Sequence, residues 1–406
     1  MSYKIISDPL YGLIDIETDI VRKIIDHPYF QRLRNIKQLA LTYLVYPGAE
    51  HTRFQHALGC YHLARTAVKV LRKKDVPINK EEEEGVLLAS LLHDIGHGPF
   101  SHTLEYHLVK CSHENFSLKI MEKINEELSG RLDTAIAIYK NTYHRKFLHQ
   151  LVSSQADVDR LDYLKRDSFH TGVAEGAVGS ERIIKMYDVV NDELVIDSKG
   201  IFSIEKFLLA RRMMYWQVYL HKTVLSAEEM LLQIIARARY LLERGEVALF
   251  ITEPLKYFLV NHVEEVTDEA LEMFVRLDDS DIFCCVKEWC YADDFILQSL
   301  SQRLITRDLN KISVEIKEFS EEYIQKVNKL TEQTLDLQAD EVDYFVYHHK
   351  IGTRSYHSMD TPIVFKNKNG ELVNIAEVST LLNDNQFNFT DVRYFISYPR
   401  EIVNLL

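Results

Sequence analysis

The stretch that most constrains this chain follows the apolar run 86–92 and reads His93-Asp94-Ile95-Gly96-His97-Gly98-Pro99-Phe100-Ser101-His102. A helix that buries its apolar side ends here, at Gly96 and Gly98, and Pro99 prevents its return. An adjacent His-Asp pair therefore stands at the C-terminal end of a core helix. Imidazole and carboxylate are ligands for Mn, Fe, Zn or Mg, and a neighbouring histidine can move protons near neutral pH. One histidine on an apolar helix is usually just packed. Three histidines and an aspartate beside two glycines point to a site.

A metal takes three or four protein ligands, so His93 and Asp94 need distant partners. Upstream, His56 sits inside a helical pattern, and Arg53 lies one turn away on the same face, suited to a phosphate. Downstream, Asp159, Tyr163 and Asp167 fall at i, i+4 and i+8, which is one face if the segment is helical. Acids alternating with Arg160 and Arg166 are equally the pattern of a solvated helix face.

Length and charge set the frame. The 406 residues, 46% of them hydrophobic, allow two or three domains with ample core. A net charge of −13 argues against a general nucleic-acid or anionic-membrane surface, so an anionic substrate needs a local cluster of Arg and Lys. The five cysteines (60, 111, 284, 285 and 290) are odd in number and form no CxxC pair. They indicate a reducing compartment, with neither a disulfide framework nor a zinc ribbon. The N-terminus opens no apolar leader and no run approaches membrane-spanning length, so a soluble, cytoplasmic protein is expected.

Apolar spacing is mainly helical from about 18 to 300, as in 63–71, 86–92, 116–128, 204–219 and 227–242. The run Glu81 to Glu84 fits a solvated first turn favoured by the helix dipole. Residues 167–180 read as a functional loop or hinge. Beyond 300 the pattern changes: 342–347, 363–365, 372–375 and 392–398 look like strands, a turn at 367–370 joins two of them, and 321–335 reads as a helix. The expected architecture is mainly α, with an all-helical domain over 1–300 and a small α+β domain over 301–406.

The order His56, His93-Asp94, Asp159, with Arg53 three residues before the first histidine, resembles the HD-domain metal-dependent phosphohydrolases. The closer resemblance is to the SAM/HD-type branch that contains the deoxynucleoside triphosphate triphosphohydrolases. It is carried by the segments 30–39, 53–56, 93–102, 157–167 and 219–222, in the family order, and extends to the small C-terminal domain.

That resemblance implies His56, His93, Asp94 and Asp159 as ligands of one divalent ion, whether Mn, Fe, Mg, Ni or Zn. It implies proton transfer by His102, His113 and His97: His102 as general acid to the leaving 5′-oxygen, His113 oriented by Glu114, and His97 contacting phosphate. The alternative for His97 and His113 is a purely stabilising role, holding the residues around the metal ligands in place. Arg53, Arg160 and Arg211 match phosphate-facing positions; the family commonly has Lys at the place of Arg160. Tyr163, Asp167 and Tyr219 match sugar-contacting positions, and Arg211, Tyr215 and Tyr219 fall at i, i+4 and i+8, one face of a helix, as a substrate-facing stripe. Gln38 and Leu39 match the pair that packs on the sugar and crowds out a 2′-hydroxyl. The implied reaction is hydrolysis of a deoxynucleoside triphosphate to deoxynucleoside and inorganic triphosphate.

Asp26, Gln31 and Arg34 match positions that recognise a regulatory guanine nucleotide in relatives, although local helix contacts explain them equally well. Ser7 and Asp188 depart from that regulatory pattern, where relatives have Asn and Arg. The resemblance also implies a homo-oligomer, dimer or tetramer. Two alternatives stay open: a phosphohydrolase acting on another nucleotide (a ribonucleotide, an alarmone or a nucleoside monophosphate), and a nucleotide sensor without turnover.

Overall fold

The computed structural model describes residues 4–245, 247–354, 362–379 and 390–406. The helix Lys80–Leu92 shows how sequence becomes core. Asn79 and Glu82 cap it reciprocally, each side chain accepting from the other's backbone N–H at 2.9 Å. Glu81, Glu82 and Glu83 occupy its first turn, where the helix dipole favours acids. From Gly85 to Leu92 every residue is buried. This helix packs against Asp133–Tyr139 on one side and against Arg53–Arg72 on the other.

The Arg53–Arg72 helix packs in turn on Val158–Thr171. The two approach closely at Gly59, where a Cβ would overlap the Asp162 carboxylate and the Arg166 guanidinium. Val158–Thr171 begins at Asp157, whose side chain accepts from Arg160 N, and ends at Gly172 with φ +75°. The segment 167–180 thus contains a helix end and a short 3₁₀ turn, Ala174–Gly176, before the next helix starts at Ser180. Ile201–Met214 continues into a π-helical turn, Tyr215–Tyr219, and then into Lys222–Arg244. The widened turn breaks the simple i, i+4, i+8 stripe expected for Arg211, Tyr215 and Tyr219.

Among the described residues three small sheets accompany the helices. β1 (Lys4–Asp8) and β2 (Gly12–Ile16) form an antiparallel hairpin. β3 (Tyr187–Val190) and β4 (Glu193–Asp197) form another, turning on Asn191 and Asp192, both at positive φ. Further along lie β5 (Lys311–Glu315), β6 (Tyr347–Arg354), β7 (Val364–Lys366), β8 (Leu372–Asn374) and β9 (Thr390–Tyr398). The sheet orders are β3-β4-β7-β8 and β5-β9-β6.

The expected fold class holds: a mainly helical core followed by an α+β C-terminal region. Its details need three corrections. Residues 1–300 are not all helical, because two hairpins lie there. Position 300 falls within the helix Phe295–Thr306, and β4 pairs in parallel with β7, with Ile196 opposite Phe365, so the two halves share a sheet. Of the segment 342–347, Val342–Tyr344 is a 3₁₀ turn and the strand starts only at Tyr347. The helix Glu321–Leu335 and the turn between β7 and β8, with Gly370 at φ +85°, lie where the sequence puts them.

Candidate active site

Two helices and one helix end converge on the HD motif. His56 comes from Arg53–Arg72, His93 and Asp94 from the end of Lys80–Leu92, and Asp159 from the first turn of Val158–Thr171. His56 Nε2 lies 3.2 Å from Asp159 Oδ1 and 3.6 Å from Asp94 Oδ2. His93 Nε2 lies 3.3 Å from Asp94 Oδ1 and 3.6 Å from Asp159 Oδ1. The structure therefore brings all four expected ligands together.

The second ring nitrogens explain how both histidines are aimed. His56 Nδ1 is 2.8 Å from Asp162 Oδ2, and His93 Nδ1 is 2.9 Å from the Ser90 carbonyl. With Nδ1 donating, each Nε2 carries a lone pair into the cluster. His93 Nε2 is buried there without a hydrogen-bond partner, as a metal ligand would be. Burial would raise the Asp94 and Asp159 carboxyls, yet the imidazoles (and, for Asp94, Arg53) hold both below the ordinary range. Burial would lower His56 and His93, yet the acids around them, with Cys60 also acting on His56, hold both up. The cluster favours positive charge, and a divalent cation bound by neutral imidazoles and two carboxylates supplies it. These residues fit such an ion.

Asp162 was not singled out from sequence, because an acid next to Leu161 and Tyr163 on a charged helix looks like surface. It is fully buried and also pairs with Arg166, which in turn reaches Asp8 at 2.8 Å. Cys60, one turn after His56, places Sγ 3.6 Å from His56 Nε2; burial pushes its thiol up, which keeps it protonated.

His97 and His113 stack with ring centroids 3.8 Å apart. His97 Nε2 is 3.4 Å from Asp94 Oδ1, and burial and Arg53 hold His97 well below the usual histidine range. His113 is raised: burial acts against this, but the Glu105 carboxylate outweighs it. Glu105 lies 2.8 Å from His113 Nδ1 and accepts from the His113 backbone N–H at 2.6 Å. Glu114 stands farther off, 3.4 Å from Nε2. The principal partner of His113 is thus Glu105, not its sequence neighbour. His102 lies on the helix Ser101–Leu108, and its side chain falls outside the described residues.

A cavity of about 510 Å³ opens over this cluster, within the range of small-molecule sites. Seven of the nine expected substrate residues line it: Gln38, Leu39, Arg53, Tyr163, Asp167, Tyr215 and Tyr219. Arg160 and Arg211 do not form its wall. The Arg160 guanidinium is drawn to Asp157, the cap of its own helix, and Arg211 donates to Gln155 Oε1 at 3.2 Å. Arg53 donates to Asp94 Oδ2 at 2.8 Å. Both Asp167 oxygens are engaged, by the Tyr219 hydroxyl at 2.7 Å and by His51 Nε2 at 2.8 Å. His51, also missed from sequence, stacks on His170.

The expected regulatory residues stand apart from this cavity. Asp26 pairs with Lys4, Gln31 accepts from Arg34 Nε at 2.8 Å, and Arg34 lies over the Phe54 ring. Asp188, on β3, is paired with Lys366. Among the described residues no helix is long and apolar enough to cross a membrane.

The HD domain family matches residues 53–167, and the HD associated region matches 178–249. The chain is 37% identical over 315 residues to the protein YwfO of Bacillus subtilis, covering 75% of this chain and 71% of that one. It is 34% identical over 264 residues to the human deoxynucleoside triphosphate triphosphohydrolase SAMHD1, covering 54% of this chain and 42% of that enzyme. A crystal structure of a phosphohydrolase from Bacteroides thetaiotaomicron superposes with a TM-score of 0.95 at 46% identity, over 98% of this chain and 100% of the other. The HD motif, the geometry around it and these similarities agree: the chain belongs to the HD-domain phosphohydrolase family.

Proposed function

We propose that this protein hydrolyses deoxynucleoside triphosphates to deoxynucleoside and inorganic triphosphate. The observation that carries the reading is the shared cavity: the His56, His93, Asp94 and Asp159 cluster opens into the space walled by Gln38, Leu39, Asp167 and Tyr219. The resemblance of the chain to SAMHD1 proteins supports it.

His56, His93, Asp94 and Asp159 would hold the divalent ion, which supplies Lewis-acid polarisation of a phosphoryl oxygen and acidification of water. Arg53, held by Asp94, presents a cation to the phosphate end of the cavity. His97, held neutral beside Asp94, accepts or relays a proton. His113, biased toward its charged form by Glu105, donates one, and His102 protonates the leaving 5′-oxygen. Asp167, fixed by Tyr219 and His51, accepts from the sugar 3′-hydroxyl. The Gln38-Leu39 wall crowds a 2′-hydroxyl and so selects deoxyribose. Arg160, near Asp159, and Arg211 reach the triphosphate only by leaving their present partners.

The reading extends to activation by a guanine nucleotide at Asp26, Gln31 and Arg34, through a homo-oligomer, with Mn among the candidate metals and the cytoplasm as the setting. The test is product analysis with dNTPs and NTPs, with Mn, Mg or Fe, with and without dGTP. Deoxynucleoside plus triphosphate, absent in Asp94→Ala, is the expected result. Turnover restricted to ribonucleotides or monophosphates would replace the substrate, and an unchanged rate and oligomer size with dGTP would remove the activation.

A further inference from the structure

Leu220, Leu225 and Glu228 line the same cavity, yet none belongs to the metal, phosphate or sugar positions. Leu225 and Glu228 stand three residues apart on one face of Lys222–Arg244, and Leu220 ends the π-helical turn just before it. Ala40 and Thr42 also belong to the wall. This part of the cavity is largely apolar and contains one carboxyl. Asp94 and Asp159 belong to the metal cluster, and Asp167 is held by Tyr219 and His51. Glu228 has no ion-pair partner among the described residues. Its side chain is enclosed by protein on its flanks and meets solvent only in part.

We propose that Glu228 reads the hydrogen-bonding edge of the substrate's base. This rests on the dNTP reading above and refines it. Phosphates belong at the metal end and the sugar beside Asp167 and Leu39, which leaves the compartment of Leu220, Leu225 and Glu228 for the base. Apolar side chains suit the faces of any base, and a carboxyl at the wall meets its edge. Burial pushes the Glu228 carboxyl up to about 8, with the Thr103 hydroxyl opposing the rise and Glu229 adding to it. A protonated carboxyl presents one donor beside one acceptor. That pair matches the ring nitrogen and amino group of adenine or cytosine. With the proton on the other oxygen it matches the amide edge of guanine or thymine. Glu228 therefore contributes affinity for all four bases without selecting one strongly.

The test is steady-state kinetics at pH 7 on dATP, dCTP, dGTP, dTTP and abasic 2-deoxyribose 5-triphosphate, for the wild type, Glu228→Gln, Glu228→Leu and Glu228→Ala. Loss of the edge contact should raise KM for every dNTP about tenfold in Glu228→Leu and Glu228→Ala. Their kcat should stay within about twofold, since the contact is made equally in ground and transition states. The abasic substrate should not distinguish these variants from the wild type, and Glu228→Gln, which keeps a donor and an acceptor, should retain the wild-type KM. Equal loss on the abasic substrate, or a fall in kcat at constant KM, would overturn the assignment. Glu228→Ala, which only enlarges the cavity, decides the matter if Glu228→Leu does not fold. Wild-type turnover of dNTPs with unchanged variants sinks this inference alone; no wild-type turnover of any dNTP sinks the dNTP reading as well.

Discussion

Asp162 supplies no expected ligand, yet it decides where His56 points. It holds Nδ1 at 2.8 Å, and its own charge is balanced by Arg166. Replacing such a partner typically weakens metal binding by about 10–100-fold. Asp162→Asn should therefore bind Mn or Fe more weakly, by titration of the metal-free protein, while its far-UV spectrum stays native. Unchanged affinity would show that packing alone orients the ring. Glu105 plays the corresponding part for His113. Its carboxylate is the main influence raising that imidazole against the effect of burial. Glu105→Gln removes the negative charge, so the His113 pKa falls. The limb of the pH–rate profile that reports His113 should move to lower pH, whether His113 acts as acid or base. A limb that stays in place would assign it to another group, with His102 next in line. These residues also mark the limit of what the sequence shows. His56, His93, Asp94 and Asp159 were legible as ligand types in order. Asp162, Glu105 and His51 were not, because their roles depend on which helix faces which, and nothing in local spacing encodes that.

At the scale of elements, helices were legible because a one-sided apolar pattern repeats over several turns, as in His113–Glu127 and Lys222–Arg244. The hairpins β1–β2 and β3–β4 were not, since strands of four or five residues carry too few alternations to stand out among helices. The π-helical turn at Tyr215–Tyr219 was equally hidden, because its residues fit an ordinary helical period. Gly59 is where the packing of two elements meets the site. It lets the Arg53–Arg72 helix approach Val158–Thr171 closely enough for His56 and Asp159 to share the cluster. Gly59→Ala improves helix propensity by about 1 kcal/mol. The added methyl nonetheless overlaps Asp162 and Arg166, and overpacking typically costs about 1–3 kcal/mol. The net expectation is a lower denaturation midpoint together with weaker metal binding. A more stable variant with full metal affinity would show that the two helices can separate without disturbing the cluster.

At the scale of the molecule, the division at residue 300 expected from sequence followed the change from helical to strand spacing, which is a change of local pattern and not of packing. One hydrophobic core contains Leu71 and Phe207 from the helical part and Phe345, Phe365 and Ile396 from the C-terminal part. β7 extends the sheet begun by β3 and β4, and Ser226, on the helix that carries Glu228, donates to the Asn310 carbonyl at 3.0 Å. A chain ending at residue 300 would cut the helix Phe295–Thr306 and uncover Leu297 and Leu300, both fully buried. It would also leave the Lys222–Arg244 helix without the strand β5 that packs on it. Exposing several such side chains at about 1.5–3 kcal/mol each is comparable with the usual stability of about 5–15 kcal/mol for a folded domain. The full chain should therefore unfold in a single cooperative transition, and the 1–300 chain should be aggregated or molten, with its metal affinity lost. Two separate transitions in calorimetry, or a soluble 1–300 chain that still binds metal, would restore the boundary and make the C-terminal region an independent domain.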